Sequence, residues 1–183
     1  VWRPSADPMT DITGGRFLDQ DREFFAIASP NVSQVRILSS PEQILNVPFV
    51  PTGLGAGDVN SDGIDEVLVM SDHAFAVCPL DGQCSTWTFP DTVTLRDISA
   101  GDVDGDLRTE VVLVNTQNGI SYLYIQNFDA AETGQIESYQ GQISYTSQRI
   151  SVGDFNGDER DEIAVLEVTV GVFGQERVAV HEL

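Results

Sequence analysis

Three stretches of the chain put oxygen-bearing side chains at alternate positions: Asp58, Asn60 and Asp62; Asp102, Asp104 and Asp106; Asp154, Asn156 and Asp158. Counting the first aspartate as one, position nine is a glutamate each time: Glu66, Glu110 and Glu162. Position seven is Ile64, Arg108 or Arg160, which can offer a backbone carbonyl. Hard oxygen donors at alternate positions of a tight loop suit calcium, which takes about six to eight oxygens in a flexible shell. Magnesium demands a stricter octahedron and holds its waters, so calcium at three sites is the expectation. No Cys/His set is present to hold zinc. The opening D-x-N-x-D-G also begins an EF-hand, but that loop needs a bidentate Glu at position twelve. Here position twelve is Val69, Leu113 or Val165, and the flanks read as strands.

The elements that must hold these loops repeat with them. A glycine precedes each first aspartate: Gly57, Gly101 and Gly153. A weaker copy, GRFLDQDREFFAIA, starts at Gly15, and an apolar residue falls three before each glycine: Ile12, Leu54, Ile98 and Ile150. The glycines lie 42, 44 and 52 residues apart. After each loop comes a continuous apolar run, Phe25 to Ala28, Val67 to Met70, Val111 to Val114 and Ile163 to Leu166, which predicts strands covered on both faces. A second run follows at Val35 to Leu38, Phe75 to Val77, Tyr122 to Ile125 and Val178 to Val180. A third is expected at Val47-Pro48-Phe49, Trp87-Thr88-Phe89 and Ile143-Ser144-Tyr145. No segment carries a helical period. Units of about four strands and this length have the size of propeller blades, near residues 12–50, 54–90, 98–145 and 150–183. The last unit lacks an outer strand. Residues 1–5, around Trp2, match the outer-strand position of a preceding blade, or complete the last one in a closed ring.

The segments GDVNSDGIDEVLVM, GDVDGDLRTEVVLV and GDFNGDERDEIAVL resemble the FG-GAP repeats of integrin alpha-subunit propellers, also called VCBS repeats. The resemblance covers four units and nearly the whole chain. It implies an all-β protein, a β-propeller of about four FG-GAP-type blades: a closed four-blade ring, or part of a larger propeller, typically of seven blades. It also implies calcium in a hairpin loop of each blade, held by the residues named above. The first unit departs from the pattern, with Arg16, Leu18, Gln20 and Phe24 where ligands should stand, so no ion is expected there.

The bulk numbers narrow the function. The chain has 183 residues, 41% of them hydrophobic, enough for a domain with a core. Its net charge of −20 disfavours nucleic acid and anionic membranes, and three calcium ions would cancel six of those charges. No apolar run approaches a membrane span, so no membrane insertion is expected. The chain begins at Val1, which suggests a removed leader or a larger parent chain. Cys78 and Cys84 flank the turn signal Asp81-Gly82, so either a short disulfide forms or both thiols stay free. A disulfide would place the protein outside the cytosol.

His73 and His181 have no nucleophile or acid partner by sequence and read as structural. Asp65-Glu66 and Asp161-Glu162 could suggest glycosidase carboxylates, but they sit inside the metal motif. Trp2 and Trp87 could stack on sugars, though aromatics in outer strands more often seal blade packing. Asn31-Val32-Ser33 is a glycosylation sequon, meaningful only in a eukaryotic secretory host. The expected function is a non-enzymatic, calcium-stabilised binding or adhesion module, extracellular, secreted or at the cell surface, that recognises a protein or a glycan. Two alternatives stand beside it: an accessory or spacer domain of a larger secreted enzyme or toxin, and a calcium-dependent lectin. Self-association is a further expectation if blades are completed between chains.

Overall fold

The computed structural model describes the backbone of residues 9–29, 31–128, 135–143, 146–168 and 176–181. It describes their side chains except at 135–143, 146–148, 167, 168, 176 and 177. The regular elements among them are all strands, arranged in four antiparallel sheets that follow chain order. Sheet 1 is β1 (Asp11–Gly15), β2 (Phe24–Ala28), β3 (Gln34–Ile37) and β4 (Gln43–Asn46). Sheet 2 is β5 (Gly53–Gly57), β6 (Glu66–Met70), β7 (Ala74–Cys78) and β8 (Ser85–Thr88). Sheet 3 is β9 (Val93–Gly101), β10 (Glu110–Gln117), β11 (Ile120–Phe128) and β12 (Gln135–Ile143). Sheet 4 has three described strands, β13 (Thr146–Gly153), β14 (Glu162–Val168) and β15 (Glu176–His181).

One register runs through all four. The loop glycine ends the first strand and pairs with the residue that starts the second: Gly15 with Phe24, Gly57 with Glu66, Gly101 with Glu110, Gly153 with Glu162. Each acidic motif is therefore the hairpin loop between the first two strands of its sheet. The strands β1, β5, β9 and β13 pack side by side in that order. The sheets thus stack face to face around a common axis, as propeller blades do.

The second strands bury side chains on both faces, because a neighbouring sheet covers each. All five residues of β6 are buried. Three apolar clusters fill the spaces between sheets. Val35, Ile37, Leu54, Val67 and Val69 join sheets 1 and 2. Leu68, Phe75, Ile98, Val111 and Leu113 join sheets 2 and 3. Val112, Val114, Ile125, Ile163 and Val165 join sheets 3 and 4. The rule of two covered faces breaks at the ends: Phe25 on β2 is 57% exposed, as Val178 on β15 is at 65%.

Two outer strands lie ahead of where the apolar pattern puts them. β4 ends at Asn46, not over Val47-Pro48-Phe49, since Pro48 has no N–H to continue the ladder. Val47 still donates its N–H to the Ser33 carbonyl at 3.0 Å before pairing stops. β12 runs over Gln135–Ile143; Ser144 and Tyr145 of the expected strand lie outside the described residues. So does the expected outer strand at residues 1–5. Cys78 and Cys84 form a disulfide with a Cα–Cα distance of 4.2 Å, tying the end of β7 to the approach of β8.

Candidate metal centres in the hairpin loops

Each loop is wound around its first carboxylate. In sheet 3, Asp102 Oδ1 accepts the N–H groups of Gly105 at 2.8 Å and Asp106 at 3.0 Å, and Oδ2 accepts Leu107 N–H at 3.0 Å. In sheet 2, Asp58 accepts from Asp62 at 2.9 Å and Gly63 at 2.8 Å. In sheet 4, Asp154 accepts from Gly157 at 2.5 Å and from Asp158 and Glu159 at 3.2 and 3.1 Å. Those N–H groups, Gly157 foremost, hold the Asp154 carboxyl below the usual carboxylate range. The third position clasps the fifth, and the fifth clasps the seventh. Asp106 Oδ1 accepts Arg108 N–H at 2.9 Å, and Asp62 and Asp158 do the same for Ile64 and Arg160 at 2.8 and 3.1 Å. The winding needs left-handed backbone at loop positions four and six. Glycine supplies only one of the two in each loop, so Ser61, Leu107 and Glu159 carry φ of 61°, 69° and 71°.

The ninth-position glutamates reach back under their loops. Glu66, Glu110 and Glu162 are 2%, 1% and 3% exposed, and each accepts the N–H of loop position two, from Val59, Val103 and Phe155 at 3.0, 3.0 and 2.9 Å. Their other oxygens separate the loops. In sheet 2, Asn60 Nδ2 donates to Glu66 Oε1 at 3.1 Å and to Asp62 Oδ2 at 3.3 Å. In sheet 4, Asn156 Nδ2 donates to Glu162 Oε1 at 2.7 Å and to Asp158 Oδ2 at 3.1 Å. Sheet 3 has Asp104 at that position, which brings a negative charge where the others bring an amide. Glu110 Oε1 is buried and has no hydrogen-bond partner. Burial first, then the charges of Asp104, Asp106 and Asp102, push the Glu110 carboxyl up to about 7.

These donor sets fit a hard cation. The carboxylate oxygens of Asp102, Asp104 and Asp106 lie within 4.8 Å of one another, and so do those of Asp154, Asp158 and Glu162. A calcium coordination shell is about 5 Å across, so each set fits within one shell. Three expected ligand carboxylates are thus gathered in the loop of sheet 3 and three in that of sheet 4, where Glu162 is one of them; among the described residues no such group forms in sheet 2, where Asn60 Nδ2 stands between Asp62 and Glu66. In sheet 1 the corresponding loop does other work. Phe17 is buried in the core, and Gln20 Nε2 donates to the Asp62 carbonyl of the next loop at 3.0 Å.

Residues outside the loops' donor sets tie neighbouring sheets together. Asp65 and Asp161, taken with the acidic motif, bind neighbouring sheets. Asp65 Oδ2 accepts Arg16 N–H at 2.7 Å, and its own N–H donates to the Arg16 carbonyl at 3.2 Å. Asp161 does the same with Asp102, at 2.9 and 2.9 Å. Two aspartates that sequence reasoning missed make matching contacts near the axis. Asp11 Oδ2 accepts Leu54 N–H at 2.9 Å, and Asp97 Oδ2 accepts Ile150 N–H at 2.8 Å. They line a recess between the inner strands, with Arg149 among its walls. Trp87 stacks on Phe75 at 5.0 Å and meets Phe128 edge-on at 4.9 Å, so it seals the space between sheets 2 and 3. His73 Nδ1 lies 2.6 Å from the Val93 carbonyl across the same gap.

Comparison with known proteins agrees with this geometry. Residues 102–165, spanning the loops of sheets 3 and 4, match the model of the FG-GAP-like repeat. No curated protein sequence matches the chain. Among solved structures it is similar to the β-propeller domain BBS1N in complex with ARL6DN. With the lead-soaked crystal the TM-score is 0.62 at 12% identity, over 98% of this chain and 57% of that one. With the mercury-soaked crystal it is 0.62 at 9%, over 94% and 56%. At such identities the likeness is one of fold, and the fold is a β-propeller. The chain spans a little over half the length of these neighbours.

Proposed function

We propose that the chain is a calcium-stabilised, non-catalytic binding domain that works outside the cell or on its surface and recognises a protein. The observation that carries the calcium reading is the sheet 3 loop, where the carboxylates of Asp102, Asp104 and Asp106 converge and a buried oxygen of Glu110, raised by their charges, has no partner. Asp102, Asp104, Asp106 and Glu110 would hold the ion there, with Asp58, Asn60, Asp62 and Glu66, and Asp154, Asn156, Asp158 and Glu162, in the other loops. Bound calcium supplies positive charge where those carboxylates repel one another. The disulfide between Cys78 and Cys84 supports an oxidising compartment. A protein ligand is favoured over a glycan because the solved neighbours hold a protein partner, and because Trp87 is spent on packing between sheets. The same spending of His73 on a backbone carbonyl supports a domain without catalysis.

The energetic role follows from mass action. With millimolar calcium and a dissociation constant of about 10⁻⁴ M, each site contributes about 1.4 kcal/mol. Thermal melts of metal-stripped protein, with calcium or magnesium added back, test this. A rise that saturates near three calcium ions per chain and is weak with magnesium is expected. No shift with calcium would reduce the loops to solvated turns.

A further inference from the structure

The two aspartates at loop position eight clamp their sheets onto opposite charges. Asp65 of the sheet 2 loop reaches position one of the sheet 1 loop, which is Arg16. Asp65 Oδ2 accepts the Arg16 N–H at 2.7 Å, and Oδ1 meets the Arg16 guanidinium at 3.2 Å. That clamp carries its own cation. Asp161 of the sheet 4 loop reaches position one of the sheet 3 loop, which is Asp102. It accepts the Asp102 N–H at 2.9 Å and returns its own N–H to the Asp102 carbonyl at 2.9 Å. A further carboxylate is thus brought to a loop that already gathers Asp102, Asp104 and Asp106. Beneath them Glu110 accepts the Val103 N–H with one oxygen and keeps the other buried and without a partner. Arg160 lies on the same loop, where a Cβ added at Gly105 would sit 2.4 Å from its Nε. One guanidinium cannot balance the carboxylates collected there.

We propose that calcium in the sheet 3 loop closes the Asp161 clamp and so controls how sheet 4 seats on sheet 3, while the Asp65 clamp between sheets 1 and 2 closes without an ion, on Arg16. The inference rests on the calcium reading above and adds what the ion governs. Like charges held a few ångströms apart repel. A divalent ion among the oxygens of Asp102, Asp104 and Asp106 offsets the repulsion that Asp161 meets there. Binding and clamping are then reciprocal: the ion draws Asp161 onto Asp102, and a seated Asp161 raises the affinity of the loop for the ion. At the sheet 1 loop a cation already stands in the place of the first ligand. Between sheets 2 and 3 position eight is Thr109, whose methyl lies over Gly57, so no carboxylate of sheet 3 reaches the sheet 2 loop in this way.

Thermal melts of the 183-residue chain, in chelator and in millimolar calcium, read the outcome. Asp161→Asn keeps an oxygen that can accept the Asp102 N–H and removes the charge. Relative to wild type it should lose more stability in calcium than in chelator, and calorimetric calcium titration should show one site weakened several-fold. Asp65→Asn is the control and should lose the same in both conditions. Asp104→Ala alters an exposed ligand of the sheet 3 loop, and in that background the calcium-dependent part of the Asp161→Asn loss should vanish. A loss at Asp161→Asn that is equal in calcium and chelator, in a wild type that calcium does stabilise, overturns the proposal and leaves Asp161 a plain hydrogen-bond acceptor. A calcium-dependent loss that survives in the Asp104→Ala background overturns it in favour of the sheet 4 loop acting on its own aspartate. A wild type that calcium does not stabilise overturns the calcium reading itself, and this inference with it.

Discussion

The interface between sheets 2 and 3 is built unlike the two that flank it. Sheets 1 and 2 are clamped at both ends of the shared face, by Asp11 on Leu54 N–H and by Asp65 on Arg16. Sheets 3 and 4 repeat the device, with Asp97 on Ile150 N–H and Asp161 on Asp102. Between sheets 2 and 3 the matching positions are Gly53 and Thr109, which cannot form it. The Thr109 methyl lies instead over Gly57, where an added Cβ would sit 2.9 Å from it. The seam is held by aromatic packing, Phe75 on Trp87, Trp87 on Phe128 and Phe89 edge-on to Tyr124 at 5.5 Å, with Leu95 N–H donating to the Asp72 carbonyl at 2.8 Å and His73 beside the Val93 carbonyl. The four sheets are therefore two carboxylate-clamped pairs joined by a seam that has no such clamp. Apolar burial supplies magnitude without direction. The clamps fix how one sheet sits on the next, because each accepts a particular backbone N–H.

The largest effect is expected at the seam. Phe75 is 1% exposed and stacks on Trp87. Phe75→Ala should cost about 3–5 kcal/mol, read from urea unfolding followed by Trp fluorescence. A cost near zero would mean that the pairs are held together by something other than this packing. The clamps come next. Asp97→Ala leaves the N–H groups of Ile98 and Ile150 without their carboxylate acceptor, at a cost of about 1–3 kcal/mol. Asp11→Ala should cost less, since Asp11 is only half-buried. Equal losses at Asp11 and at an exposed control aspartate would dissolve the distinction between clamped and unclamped interfaces.

How much of this was legible depended on how far each interaction reaches along the chain. The loops and the two strands that flank them are local. Asp58 through Glu66 and the run EVLVM fix the hairpin, its register and its burial within fifteen residues, and the repeat confirms the phase. β4 was misplaced because Val47 and Phe49 are core-type residues, while Pro48 between them ends the ladder. The clamps join residues 43 to 59 positions apart, and no periodic pattern spans that distance. A signal was present in the alternation between units. Asp11 and Asp97 occupy the same place in the first and third, where the second and fourth have Gly53 and Arg149. Asp65 and Asp161 mark the second and fourth, where the first and third have Glu23 and Thr109.

The clamp at Asp97 has a pH signature that packing of Phe75 lacks. Burial raises the Asp97 carboxyl above its ordinary 3.8, with the Asp11 charge adding to the rise, while the N–H groups of Ile150 and Ile98 and the Arg149 charge oppose it. A carboxyl whose folded value lies above its unfolded one holds its proton more tightly in the folded protein. Its contribution to stability is fully present below about 3.8 and is lost as pH rises through the raised folded value. Asp97→Asn removes that dependence. The variant should therefore gain on the wild type between pH 3 and pH 7 in paired thermal melts, whereas Phe75→Ala should trail it by a constant margin. A gap between Asp97→Asn and wild type that does not move with pH would mean that Asp97 ionises as freely folded as unfolded.

The smallest effect separates hydrogen bond from ion pair within one clamp. Arg149 lies 3.5 Å from Asp97, but its side chain is 62% exposed, and the clamp at Asp11 has Gly53 rather than a cation in the matching place. An ion pair that open to water is worth less than about 1 kcal/mol. Arg149→Met keeps the aliphatic stem and removes the charge, so it should change stability by about 0.5 kcal/mol or less, and by less still in high salt. A loss as large as that of Asp97→Ala would make the clamp between sheets 3 and 4 ionic. The two clamped interfaces would then be different devices that share only an aspartate, because the one between sheets 1 and 2 works without an arginine.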